Sequence, residues 1–279
     1  MGDKIFVVKR SGEKEPFSEE KVLSSMQRVG VSQDLRPQVL QEIKEHLYPE
    51  IKTSEIFSHI LNHLKNKDRK ATLRFNLKQA IFDLGPTGFP FEKYMGKIFE
   101  YMGYKVSVDN MMQGECVRHE VDLLLEKEGM RHMVEAKFHN QPGVKTDIHV
   151  LLYTYARFLD LAEKNNLSRA WIVTNTKLTG EAIAYARCKN IATVAWSYPE
   201  DGNLQNLVER PNLYPITILN TLSHAETSKL LDNNIVLCSD LLLSGLDVLD
   251  GVIDPKRLEK AWEDAKLVSG LNSQHPGSI

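Results

Sequence analysis

The chain has 279 residues, enough to bury a full core and to divide into one or two domains with appendages. Its 42 % hydrophobic and 26 % charged residues mark a globular sequence without low-complexity tracts. No apolar run reaches membrane-spanning length and the N-terminal "MGDKIFVVKRSGEKE" lacks a signal-peptide stretch, so a cytoplasmic protein without a membrane partner is expected. The net charge of −2 is unevenly spread: Lys and Arg outnumber Asp and Glu by 15 to 12 over 1–83, match them at 14 each over 84–200, and trail by 6 to 11 over 201–279. A polyanionic partner must therefore use local basic patches, the densest being "KNKDRKATLRFNLK" at 65–78.

"KIFVVKR" at 4–10 alternates as a short strand, and Ser11-Gly12 signals a turn into a second extended piece. Ser18 is placed to cap a helix in which Val22, Leu23, Met26 and Val29 recur at helical spacing, with Gly30 at its end. Helical patterns follow around 34–47, 53–65 and 68–83, giving a hairpin plus four helices. "DLGPTGFP" at 83–90, with two glycines and two prolines, marks a domain boundary, so the first domain is taken as 1–85.

Residues 90–103 form a helix with Phe91, Tyr94, Met95, Ile98 and Phe99 on one apolar face. Strand-like "YKVSV" and two apolar runs within 119–138 come next. A helix over 146–164, a strand "AWIVT", a helix over 179–189 and a strand "IATVAW" complete the order of a three-layer α/β domain with a mixed sheet, taken as 86–200. The remainder, 201–279, reads as an acidic helical C-terminal region. It has three helices within 222–231, 235–245 and 254–270, and a frayed tail over 272–279. Cys116, Cys188 and Cys238 are odd in number and far apart, which argues against a disulfide framework or thiolate metal site and leaves them as packing residues.

Strand alternation in "MRHMVEAKF" puts Glu135 and Lys137 on one face and Val134, Ala136 and Phe138 on the other. A hairpin turn at "EKEGMR" can bring Asp122 beside Glu135, so that two carboxylates and an amine converge at one sheet edge. That group suits a hard divalent cation such as magnesium, and a metal-bound water with a neighbouring lysine suits phosphodiester hydrolysis. The competing reading is an exposed hairpin with solvated charges.

From about 86 to 196 the sequence resembles the Mrr-like restriction endonuclease branch of the PD-(D/E)XK nuclease superfamily. The resemblance is carried by Gly88 and Glu92 in "GFPFE", by "MGYKV", by Asp122, by Glu135 and Lys137 in "VEAK", and by "WIVTNTKLTGEAIAYA". It implies that Asp122 and Glu135 are ligands of Mg²⁺ or Mn²⁺, that Ala136 lends its backbone carbonyl to the metal, that Lys137 is the catalytic lysine and that Glu92 is an accessory acid. The chain departs from the branch at "RHEVD", where relatives often carry a glycine and where Glu120 stands near the aspartate. It departs again on the following helix, where His149 and Tyr153 take the place of a Q-x-x-x-Y pattern.

In the first domain, adjacent cations beside a glycine turn and a lysine in the first helical turn suit phosphates. Val8, Lys9, Arg10, Gly12, Phe17, Lys21 and Val22, with the closing "RKATLRF", resemble the ATP-cone, a nucleotide-binding regulatory module. The resemblance implies that Val8, Lys9, Arg10 and Lys21 contact ATP or dATP, with Glu15 and Thr53 as weaker candidates. It also implies that the nucleotide is an effector acting through oligomeric state, hence a homo-oligomer. His59 and His63, four apart after Glu55, lack further ligands and are read as a polar helix face. Lys145, in the loop "HNQPGVKTD", can reach a phosphate or can belong to a plain connection.

The expected protein is α/β: a small helical ATP-cone domain, a three-layer α/β/α restriction-endonuclease-like domain with a mixed sheet, and a helical C-terminal extension. The expected function is nucleotide-regulated, metal-dependent cleavage of DNA. The alternative is an ATP- or dATP-sensing regulator that binds DNA or protein without cutting.

Overall fold

The computed structural model describes residues 5–244 and 253–271; the tail expected over 272–279 lies outside them. At the N-terminal end β1 (Phe6–Val8) pairs antiparallel with β2 (Lys14–Pro16) around the left-handed Gly12. The expected hairpin is in fact a three-stranded sheet, because β3 (Ile51–Lys52) pairs parallel to β1 on its other side. A two-residue strand is too short to leave a period-2 pattern. α1 (Glu19–Arg28) starts at Ser18, whose side chain accepts from Lys21 N at 3.3 Å. α2 (Leu35–Glu45) and α3 (Thr53–Leu64) close a core around Val7, Met26, Val39, Ile43 and Ile60.

The helical pattern at 68–83 resolves into two helices, α4 (Arg69–Phe75) and α5 (Leu77–Phe82), separated at Asn76. Their faces serve two cores. Ala71 and Phe75 belong to the N-terminal one, whereas Leu73, Leu77, Ile81 and Leu84 pack with Phe91, Tyr94 and Phe99 of α6 (Phe89–Tyr101). The segment 83–90 itself buries only Leu84, yet the helices on either side of it share one apolar core, in which each fully buried Phe or Leu contributes roughly 1.5–3 kcal/mol.

The second sheet has the order β10-β8-β6-β5-β4. β4 (Lys105–Gln113), β5 (Arg118–Lys127) and β6 (Met130–Lys137) form an antiparallel meander, and β8 (Leu167–Thr174) and β10 (Ala192–Val194) continue it parallel to β6. The β5–β6 turn is the two-residue Glu128-Gly129, both at positive φ, which matches the twist of the strands it joins. α6 covers one face. α7 (Ile148–Asn165) and α8 (Gly180–Cys188) cover the other through Leu151, Leu161, Ala182 and Ala186. A small parallel pair, β7 (Lys145–Thr146) with β9 (Lys177–Leu178), lies at the ends of β6 and β8. This is the restriction-endonuclease-like α/β/α arrangement with a mixed sheet.

The C-terminal region, α9 (Leu204–Glu209), a 3-10 turn (Ile216–Ile218), α10 (His224–Asp232), α11 (Cys238–Leu243) and α12 (Pro255–Ser269), packs on α6 and α4. The buried Tyr94 Oη donates to Leu213 O at 2.9 Å, and Arg69 Nη2 donates to Asp264 Oδ2 at 2.8 Å. Of the three cysteines only Cys238 is a packing residue. Cys116, in the β4–β5 turn, and Cys188, in the last turn of α8, are exposed, since neither loop tips nor outer helix faces reach a core. No described helix is long and apolar enough to cross a membrane.

Candidate active site

The β5–β6 register, with Leu123 opposite Val134, sets Asp122 level with Glu135. Asp122 Oδ2 accepts from Ala136 N at 2.6 Å, tying the two strands at this level. On the other side, β4 meets β5 through Val108↔Leu123 and Asn110↔Val121, with Asp109 between them at φ +57°. The strand pair changes face there. Val106, Val108 and Leu123 pack towards α6, whereas Met112 and Val121, of the same parity, pack towards α7. The twist brings Asp109 and Asp122 to one place and breaks the regular alternation around them.

Five carboxylates therefore influence one another: Glu92, Asp109, Glu120, Asp122 and Glu135. Burial, and then the charges of Asp122, Glu120, Asp109 and Glu135, push the Glu92 carboxyl up to about 7. Burial also raises Asp122, against the opposing effects of the Ala136 N–H and Arg157, and it raises Glu135, helped by Asp122 and opposed by Arg157 and Lys137. Glu92, in the first turn of α6, turns back over Gly88, where an added Cβ would lie 3.2 Å from its Oε1. Arg157 of α7 is ion-paired to Glu135 and lies 5.3 Å from the Tyr153 ring centre.

Asp122 and Glu135 open into a cleft of about 360 Å³ lined also by Arg118, His119, Glu120, Tyr153 and Arg157. Lys137 is half-buried opposite Thr174 of β8, on the Glu135 side of the strand, and does not line this cleft. Arg157 escaped the sequence reading, although a cation four residues after Tyr153, on the face of an amphipathic helix that carries Leu161, was a usable signal. His119 braces the rim. Its Nε2 lies 2.7 Å from Asp160, which also accepts from Cys116 N at 2.8 Å and is drawn down to about 2, chiefly by that backbone bond. His149 is exposed beside Asp147, and His63 is held by Glu42 and Lys67, in keeping with a polar helix face.

Among the described residues, no three His, Cys, Asp or Glu side chains gather as a metal-holding group. The donor chemistry nevertheless fits a hard divalent cation. Two level carboxylates, penalised by burial and by neighbouring carboxylates, gain from a cation between them, and magnesium takes one or two carboxylates while keeping several waters. At present Arg157 supplies part of that neutralisation.

At the N-terminal end, Lys9 and Arg10 line a second cavity, of about 380 Å³, together with Thr53. Lys9 pairs with Glu15 at 2.8 Å and Glu13 at 3.3 Å, contacts that raise Lys9 and lower Glu15. Lys21 also pairs with Glu15, at 2.9 Å. Neither Lys21 nor Val8, a strand residue bridged on both sides, lines the cavity.

Three family models match in sequence: an ATP cone domain over 5–78, a restriction endonuclease domain over 86–196, and the AF1548-like C-terminal domain over 214–268. An uncharacterized protein of Archaeoglobus fulgidus is 38 % identical over 177 residues, 63 % of this chain and 100 % of its own length. The crystal structure of a protein of unknown function, AF1548, superposes with a TM-score of 0.59 at 35 % identity, over 66 % of this chain and 99 % of the other. Protein VC1899 from Vibrio cholerae matches at 15 % identity and a TM-score of 0.27, over 63 % of this chain and 48 % of its own.

Proposed function

We propose, from the premise that this chain belongs to the AF1548-like family and carries an ATP cone ahead of its restriction endonuclease domain, that it cleaves DNA phosphodiester bonds with a divalent metal under control of an adenine nucleotide. In this reading residues 1–85 sense the nucleotide, 86–200 cut, and 201–279 form the helical region that buttresses both. The observation that carries it is the level pair Asp122 and Glu135, half-buried beside Glu92 and flanked by Arg157 and Lys137.

Asp122 and Glu135, with the Ala136 carbonyl, would hold Mg²⁺ or Mn²⁺, which supplies an activated water and charge stabilisation at the phosphate. Lys137, half-buried beside Glu135, would orient the attacking water. Glu92, whose carboxyl titrates near neutrality, exchanges a proton at the acidic end of the cleft. Arg157, on leaving Glu135, can meet a phosphate oxygen with its planar fork. ATP or dATP, held at Lys9 and Arg10 with Val8 and Lys21 nearby, acts as an effector through the assembly of a homo-oligomer. One observation favours the non-cutting regulator instead: the Arg157–Glu135 pair already neutralises one of the two carboxylates in the proposed ligand set.

Plasmid cleavage with Mg²⁺ or Mn²⁺, with and without ATP and dATP, separates the two readings. Lys137→Ala and Glu135→Ala should each lower the rate by about 100-fold or more. Activity in both variants equal to wild type refutes the site, and no cleavage by the wild type under any of these conditions leaves the regulator.

A further inference from the structure

The wall of the Lys9–Arg10 cavity opposite the ATP cone is built by the nuclease-like domain. Gly143, at φ +95°, sits so close to the β1–β2 turn that an added Cβ would lie 3.0 Å from Arg10 O and 3.3 Å from Arg10 C. Behind it, β7 and β9 place Lys145 directly beside Lys177. Five cations, Lys9, Arg10, Lys78, Lys145 and Lys177, thus line one cavity against a single carboxylate, Glu13. Burial, then Lys177 and Arg10, lower Lys78 to about 8, so positive charge reaches it from both walls of the cavity. Phe57 and Phe82 add apolar surface, so the cavity pairs a cationic end with a surface on which a base can rest.

The far wall is wired to the strand that ends in Lys137. Thr146, next to Lys145, is buried, and its hydroxyl lies 3.0 Å from both His139 Nε2 and Thr174 Oγ1. His139 in turn exchanges two bonds with Asn175, its N–H donating to Oδ1 at 2.9 Å and its carbonyl accepting from Nδ2 at 2.8 Å. His139 stands two residues beyond Lys137 on the same chain segment.

We propose that the effector site is shared between domains: a nucleoside triphosphate held by Lys9 and Arg10 has its polyphosphate clasped from the other side by Lys145 and Lys177. The occupied site then bears on the segment 137–146 through Thr146, His139 and Asn175. The inference rests on the reading that the ATP cone binds nucleotide, and it adds that the cone alone is an incomplete site.

Calorimetric titration of the full chain with ATP, with inorganic tripolyphosphate as a second probe, tests it on wild type, Lys9→Ala with Arg10→Ala, Lys145→Ala with Lys177→Ala, and Lys145→Arg with Lys177→Arg. Loss of two charge-assisted phosphate contacts should weaken ATP about 10- to 100-fold in the Lys145/Lys177 alanine pair, with a parallel loss for tripolyphosphate and near-wild-type affinity in the arginine pair. In wild type, ATP should protect the backbone amides of 143–146 and of His139 from exchange. ATP affinity within twofold of wild type in the Lys145/Lys177 alanine pair, alongside its loss in the Lys9/Arg10 pair, overturns the shared site and leaves the effector reading standing. Unchanged affinity in the Lys9/Arg10 pair removes the effector reading itself, and absent amide protection on ATP binding overturns the shared site regardless of how the variants fold.

Discussion

Arg157→Ala isolates the electrostatics of the acidic cleft. Arg157 and Glu135 are both largely withdrawn from water, with side-chain exposures of 9 % and 18 %, and Asp122 stands level with Glu135 on the next strand. Removing one partner of such a pair costs about 3–5 kcal/mol when the other charge is stranded. Glu135 is already raised by burial and by Asp122, and it loses the opposing effect of Arg157 in the variant, so it escapes part of that cost by taking up a proton; about 2–3 kcal/mol is expected at pH 8. A group raised in the folded state contributes its full stability below its unfolded value, 4.5 for Glu135, and loses it as pH rises through the folded value. The deficit should therefore be small at pH 5 and grow towards pH 8. If Asp122 and Glu135 bind a divalent cation, millimolar Mg²⁺ should return more stability to the variant than to wild type, since no arginine has to be displaced. Urea unfolding at both pH values, with and without Mg²⁺, reads all of this. A deficit independent of pH would refute the stranded-charge argument, and no differential rescue by Mg²⁺ would refute the cation site.

Glu92, raised to about 7 by burial and neighbouring carboxylates, should give the cleavage rate a limb that falls above neutrality if its protonated form is the working one. Glu92→Gln should abolish that limb, and it should make the protein more stable than wild type at pH 8 but not at pH 4, because the penalty for the buried charge builds up above 4.5 and is complete once pH has passed about 7. Tyr94→Phe removes the buried hydroxyl that donates to Leu213 O and should cost about 1–2 kcal/mol in urea unfolding, with the loss of amide protection concentrated around 213–219. Uniform loss across the chain would mean that α6 and the C-terminal region do not meet through this bond as a local joint.

Much of the architecture is written locally. The Ser18 cap, the Ser223–Glu226 capping box and the Glu128-Gly129 turn each depend on residues within a few positions of one another, so their patterns are readable one window at a time. The proximity of Asp122 to Glu135 belongs with them, because a two-residue turn propagates register outwards one pair at a time. Elements too short to carry a period, such as β3, β7 and β9, were not legible, nor was the break at Asn76 inside a continuous helical pattern.

The nuclease-like and ATP-cone characters of this chain were thus already determined by its sequence, through spacing along strands and turns. Which charges meet was not. Arg157 reaches Glu135 from a helix on the far side of a loop, and Lys78 feels Lys177 across the cavity between domains. Asp109 joins the acidic group because its backbone turns left-handed there. Coulomb and desolvation effects depend on distance through space and on the water excluded from between groups, and folding sets both only when the sheet, α7 and the N-terminal unit are packed together.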